Sequence, residues 1–497
     1  MSGEATQVST GENTGADAES VAFEVSGKPH LVVVGGGITG LAAAWQGVQR
    51  GAQVTLYEAD DHFGGKLVTD HRDGYLIERG PDSFVTYRPA ALALIDELGL
   101  STEVITPGSG RRVSLLSRGK LRPMPSGMGM VLPTQMWPFV TTSVLSWPDK
   151  LRAALDLVIP RQLGDDDVAI GAFLRARLGD GIVRRFADPM VGGIYGAGID
   201  ELSLDAVLPV LRQNEDRYRS LMVASLAGGR AARRRRDAQH GRAPSIFCTL
   251  RGGLGQLVDA LTEGLVQRGA GLHSSTQVTT LDDQGVRLAD GTRVPADAVI
   301  LAGGAQCSAQ LLREPVPAAA DALEAIPLAT TTIVSLGWPT ADFDETPDSQ
   351  GWLEADPGPF SGLTASSVKF EGRAPESHVL VRVFVPDKRG PLADAPDEEL
   401  IAATLDHVRP LMGVHTGPSL VEVSRWRTVM PKYTVGHLGR AAAVDDALAA
   451  ECPRWAVAGS ALHGVGIPDC IKDARQRTDA VLDACAGGRG SSTAQDH

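Results

Sequence analysis

The chain has 497 residues, 43% of them hydrophobic and 22% charged, and a formal net charge of −13. That length is too great for one simple core and points to two intertwined or sequential domains, while the acidic balance argues against a nucleic-acid partner and favours solubility. Five cysteines without paired spacing exclude a disulfide framework, so reduced thiols and a cytoplasmic location are expected.

Residues 1–27 are polar and rich in Gly, Ser and Thr, with no apolar targeting run, and read as a disordered tail. Leu31 to Val34 then form an apolar run short enough for a buried parallel strand. Gly35 to Gly40 follow with G-x-G-x-x-G spacing, and Leu41, Ala44, Trp45 and Val48 mark one face of a helix. Gln53 to Tyr57 alternate as a second strand that ends at Glu58, 18 residues beyond Gly40. Gly35 suits the tight turn, Gly37 a backbone that approaches a pyrophosphate, and Gly40 close packing of helix on strand. The helix N-terminus offers free N–H groups to phosphates, and Glu58 an acceptor for ribose hydroxyls. Phe63-Gly64-Gly65-Lys66 comes next. A glycine doublet with a cation there resembles the second half of the FAD signature in glutathione-reductase-like and amine-oxidase-like flavoproteins, and implies FAD rather than NAD.

Met128 to Trp147 is the stretch most like a membrane segment, but Pro133 and Pro138 interrupt it, so no spanning helix is expected. Arg230 to Arg242 carry four consecutive arginines at 233–236 and read as a solvated loop, with an acidic partner or anionic surface as the competing reading. Leu254, Leu257, Val258, Leu261 and Leu265 form a helical stripe stopped at Gly269. A strand near Gln277-Val278, a hairpin at Asp290-Gly291 and a buried strand from Ala298 to Ala302, ending at Gly303-Gly304, follow. The last return is a strand from Trp455 to Gly459, then Gly464 to Asp469 and a helix with Ile471, Ala474, Thr478, Val481 and Leu482 on one face. Residues 487–497 read as a second disordered tail.

Five further segments carry a more specific likeness. They are Glu78 to Phe84; Gly193 to Gly198 with Leu202-Ser203; Ser367 to Phe370 with Arg373-Ala374-Pro375; Arg425-Trp426 with Met430 to Tyr433 and Gly436-His437; and Gly464 to Ile471. In this order they resemble the porphyrinogen oxidases of haem synthesis, over about residues 29–485. The resemblance implies an α/β fold: a Rossmann-like FAD-binding fold of the two-dinucleotide-binding, amine-oxidase-like type, with an interleaved α+β substrate domain and a helical subdomain. The expected division is FAD-binding parts at 28–97, 244–310 and 441–486, a helical and substrate region at 98–243, and a substrate-binding sheet region at 311–440. Three departures stand out. Asp473-Ala474 replaces the common Ser-Gly, Asp188-Pro189 the usual Glu-Pro, and the arginine run has no counterpart. None is expected to touch the dinucleotide cradle, although the first can alter flavin affinity.

By the same resemblance, FAD contacts fall on Gly35, Gly37, Ile38, Thr39, Gly40, Glu58, Ala59, Gly64, Gly65 and Lys66. They continue with Gly80, Pro81, Asp82, Ser83, Val278, Trp426, Gly459, Val465, Gly466 and Ile467. The implied reaction is a six-electron aromatisation of coproporphyrinogen III, each step passing a hydride to flavin N5, with O2 reduced to hydrogen peroxide. No catalytic side chain and no metal site is assigned. Arg112 and Lys369 are candidate carboxylate clamps, and Tyr195 a candidate pocket residue; the competing readings are surface cations and a core tyrosine. Cys470 reads as a small packed side chain. Protoporphyrinogen IX is the alternative substrate. Another amine-oxidase-fold flavoenzyme, or a non-catalytic FAD- or porphyrin-binding protein, is the alternative class. A transient contact with a ferrochelatase-type or other haem-pathway enzyme is the implied partnership.

Overall fold

The computed structural model describes residues 27–108, 113–129, 131–238 and 245–492. In chain order the elements around the site are β1 (His30–Val34), α1 (Ile38–Gln49), β2 (Gln53–Tyr57), α2 (Gly255–Gln267), β3 (Gly271–His273) and β4 (Ala298–Leu301). They are followed by β5 (Leu328–Pro339), β6 (His378–Pro386), β7 (Leu420–Pro431), α3 (His437–Glu451), β8 (Trp455–Val457) and α4 (Ile467–Ser492).

The sheet that carries the glycine loop has the order β3-β2-β1-β4-β8, with every pair parallel. A parallel sheet needs cover on both faces, and the alternation within β1 provides for it. Leu31 and Val33 enter the core shared with α1, α2 and α4, while Val32 and Val34 enter a core shared with α3 on the other face. The unit is assembled from three remote stretches of chain, because β4 returns to pair with β1 and β8 closes the far edge. All loops that matter leave the carboxyl ends of β1, β2, β4 and β8, where open parallel sheets place ligands.

A second, seven-stranded sheet runs β7-β5-β6 and then through strands at Gly362–Ala365, Gly351–Glu354, Val113–Ser117 and Lys120–Pro123. Its register slips between Ala329 and Thr331 opposite β7. Thr428 sits at this bulge with φ 48 and donates its N–H to Thr330 Oγ1 at 3.1 Å. Helices between Ile170 and Ala238 form a separate apolar core, and a π-helical turn, Val183–Gly192, contains Asp188 and Pro189.

Two expectations are corrected. The arginine run is helical as far as Ala238 in an element that begins at Leu221. Arginine has near-alanine helix propensity, and buried Leu221 and Met222 anchor the start. Residues 239–244 and 1–26 lie outside the described residues. The C-terminal tail expected from 487 is also helical to Ser492, since α4 is docked by Val481, Leu482 and Cys485 and glycine lowers helix propensity without ending a packed helix. The Met128–Trp147 stretch contains one short helix, Met136–Thr141, and among the described residues no helix is long and apolar enough to cross a membrane.

Candidate functional site

The turn after β1 is built by glycines for different reasons. Gly35 has φ +104, and a Cβ on it would lie 2.7 Å from Gly303 N. A Cβ on Gly40 would run into the Gly35 carbonyl, so helix and turn pack at backbone distance. Gly37 differs: a Cβ there would come no closer than 3.9 Å to protein, and the space it leaves belongs to the cavity it lines. The second glycine loop faces the first, with Gly64 N donating to Gly36 O at 2.8 Å. Glu58 braces the pair, since Oε2 accepts from Gly36 N at 2.5 Å and Oε1 from Asp60 N at 2.9 Å. No side chain caps α1, so its first N–H groups stay available at the cavity wall formed by Ile38 and Thr39.

The cavity is about 850 Å³. Its wall includes Glu58, Ala59 and Val278, the second glycine loop with Gly64, Gly65 and Lys66, and Pro81, Trp426, Val465 and Ile467. Lys66 is the informative side chain. Burial lowers its pKa and the Cys470 thiol is its near neighbour, itself pushed up to about 11 by burial. No ion-pair partner accompanies the Lys66 ammonium among the described residues. A half-buried cation without an anion is costly, and a diphosphate supplies that anion. An acid at the ribose position, free helix amides and a lone cation fit a flavin dinucleotide.

The remaining sequence-derived positions divide. Gly80 lies behind the wall, where a Cβ would strike the Lys66 carbonyl, and Trp426 Nε1 donates to Arg79 O at 2.7 Å. Gly459 has φ +103, and a Cβ on it would reach Thr39 Oγ1 at 2.5 Å; Gly466 abuts Asp469. Asp82 and Ser83 do not line the cavity. The Asp82 carboxylate accepts from Lys369 Nζ at 2.9 and 3.1 Å and from Ser83 Oγ at 2.7 Å, with Arg382 Nη1 at 3.5 Å. Lys369, one of the candidate carboxylate clamps, is here paired with the part-buried Asp82 carboxylate. Arg112 lies outside the described residues. Tyr195 is half-buried, 5.9 Å from the Tyr433 ring, and packs with Val465 against the helical core.

Sequence reasoning did not assign Gly303, Gly304, Gln306 and Gln310 to the site, nor Thr428 and Val429 from the β7 bulge, although all line the cavity. The doublet after β4 was the available signal for the first group; the bulge left none. It also overlooked how tightly the last return loop is held. Tyr433 is stacked on His437 at 3.7 Å, and its hydroxyl donates to Ser460 O at 2.9 Å and accepts from Gly464 N at 2.6 Å. Burial raises the Tyr433 pKa and lowers that of His437 to about 4, so the imidazole is neutral near pH 7. Among the described residues no group of three or more His, Cys, Asp or Glu side chains is placed to hold a metal.

Residues 38–482 match the family described as flavin containing amine oxidoreductase. A coproporphyrinogen III oxidase from Propionibacterium freudenreichii subsp. freudenreichii is 69% identical over 479 residues, covering 92% of this chain and 91% of that protein. A coproporphyrinogen III oxidase from Bacillus subtilis (strain 168) is 34% identical, covering 92% and 98%. Among solved structures, a putative protoporphyrinogen oxidase from Exiguobacterium sp. 255-15 superposes with a TM-score of 0.80 at 31% identity, covering 93% of this chain and all of that one. The cofactor is FAD, and the protein is an FAD-dependent oxidase. Matched by that family over most of its length and by relatives that it covers almost end to end, the chain belongs to the flavin-containing amine oxidoreductases.

Proposed function

We propose that the protein oxidises coproporphyrinogen III to coproporphyrin III in haem biosynthesis, with O2 as acceptor and hydrogen peroxide as product, and that it works in the cytoplasm. The observation that carries this reading is the 69% identity, across 92% of the chain, to a relative of that name. FAD, when bound, would supply the redox chemistry between the macrocycle and O2. The protein's part is placement. Lys66 and the α1 amides would hold the diphosphate, Glu58 would hold the ribose, and the N-terminal end of α4 would favour negative charge near Val465 and Ile467.

The half-buried Tyr195, Met124, Met128 and Leu353 pack against the same helical core as Val465 of the cavity wall, an apolar setting suited to a tetrapyrrole face. The resemblance makes Arg112 the candidate propionate clamp. The released porphyrin passes to a later haem-pathway enzyme of ferrochelatase type. Protoporphyrinogen IX is the second reading, favoured by the name of the Exiguobacterium structure. Porphyrin fluorescence in air, followed with each porphyrinogen and FAD-loaded protein, separates the two. Faster turnover of coproporphyrinogen supports the proposal, and a protoporphyrinogen preference replaces the substrate while keeping the reaction. No turnover of either above the spontaneous rate defeats it.

A further inference from the structure

The loop from Gly459 to Gly464 contributes Ser460 and Ala461 to the cavity wall and leads into Val465. It is held from two sides. On one side stand Tyr433, through Ser460 O and Gly464 N, and His437, whose Nε2 meets Leu462 O at 2.9 Å. On the other side stands one residue of α4, Asp473, which is 6% exposed. Its Oδ2 accepts the Gly459 N–H at 2.7 Å, and its Oδ1 faces Arg477 Nε at 3.4 Å. Arg477 in turn bonds Asp445 Oδ2 at 2.7 Å and contacts His463. Gly459 presses directly on Thr39, which lines the cavity at the start of α1. The amide that Asp473 holds is thus the joint between the first and last parts of the nucleotide-binding unit. Asp473 is also the position where the chain departs from the pattern of the family it resembles, replacing a short neutral side chain with one that reaches farther and carries a carboxylate.

We propose that Asp473 is a positioning residue for FAD, fixing the Gly459–Gly464 loop against Thr39 and placing a negative charge behind the cavity wall that Thr39 and Ser460 form. Two effects follow. Without an acceptor, the Gly459 N–H is left buried and unpaired, and the loop loses its registration on Thr39. Without the charge, reduction of the bound flavin becomes easier, since added electron density no longer faces a carboxylate.

The test compares Asp473→Ala and Asp473→Asn in the full-length protein. FAD affinity is measured by flavin fluorescence on titration of apoprotein, and the midpoint potential by anaerobic dye-coupled reduction, both without porphyrinogen. Substrate identity therefore does not enter, and failure here is distinct from failure of the proposed reaction. Asp473→Ala should bind FAD about tenfold more weakly, as loss of one hydrogen bond to a charged group implies. Asp473→Asn keeps an acceptor and should recover most of that affinity while shifting the potential upward. Should Asp473→Ala not fold, Tyr433→Phe, which releases the same loop from its other side, must also weaken FAD binding. Wild-type affinity and unchanged potential in folded variants would overturn the proposal.

Discussion

Arg177 in the helical region and Arg382 beside the cavity are both withdrawn from water, yet their surroundings differ. Arg177 Nε meets Asp156 Oδ1 at 2.7 Å, Nη1 meets Pro160 O at 2.8 Å and Glu215 Oε1 at 3.3 Å, and Nη2 meets Asp156 O at 3.1 Å and Arg219 O at 2.6 Å. Its partners are equally complete. Asp156 Oδ2 takes Ser220 Oγ and Met222 N, and Glu215 takes Gln162 N and Leu163 N. Arg382 reaches Gly80 O and Asp82, and neighbouring Arg373 reaches Arg251 O and Leu250 O, but the Nε of each is buried without a partner among the described residues. Burial lowers the pKa of both. A saturated cluster is a strut. An unsaturated one next to a binding site is held together by geometry it shares with that site, so disturbing it should be felt there.

The largest effect separates them most sharply. Arg177→Met strands two carboxylates in an apolar core and should cost about 3–5 kcal/mol of stability in urea unfolding, while folded protein binds FAD as before. A cost below about 1 kcal/mol would mean that water or a repacked side chain replaces the guanidinium.

Lys369→Met should cost less, about 2 kcal/mol, because both partners keep some solvent access. It should also weaken FAD binding, since Gly80 and Pro81 stand between Asp82 and the cavity. Burial alone would raise the Asp82 pKa, but Lys369 and Arg382 outweigh it and hold the carboxyl well below its usual range. A depressed carboxylate stabilises fully above its unfolded value, and that contribution is lost as pH falls through the folded value. The gap between wild type and Lys369→Met should therefore narrow below about pH 4; a gap constant with pH would contradict this assignment.

Glu78→Gln should have the smallest effect, within about 1 kcal/mol. Burial raises the Glu78 pKa despite bonds from Leu254 N and Thr69 Oγ1, each 2.8 Å. A raised carboxyl contributes stability below its unfolded value and loses it as pH climbs through the folded one, so the glutamine variant should match or exceed wild type at pH 7. A large loss in calorimetry would instead make Glu78 a required anion for Arg373 and Arg382.

These contrasts also explain what could be read in advance. Gly35, Gly37, Gly40 and Glu58 lie close together in sequence, and each position answers a local demand, so the cradle was legible. Lys369 and Asp82 are 287 residues apart, and the partners of Arg177 come from different helices, so nothing in spacing announces either cluster. That is why Lys369 read as a free clamp, and why Asp473, meeting Gly459 only through folding, read as remote from the cradle. The arginine run was misread for another reason: charge suggested solvation, but solvation does not prevent a helix.

The order of the parallel sheet has a consequence for biosynthesis. Its centre pairs β1 with a strand near residue 300, and its edge strand and the α4 floor come from beyond Trp455. A nascent chain that has exposed the whole glycine fingerprint still lacks the loop that closes the cavity. Cofactor capture is therefore a late, post-translational event, and until then the exposed edge of β4 must be kept from other strands.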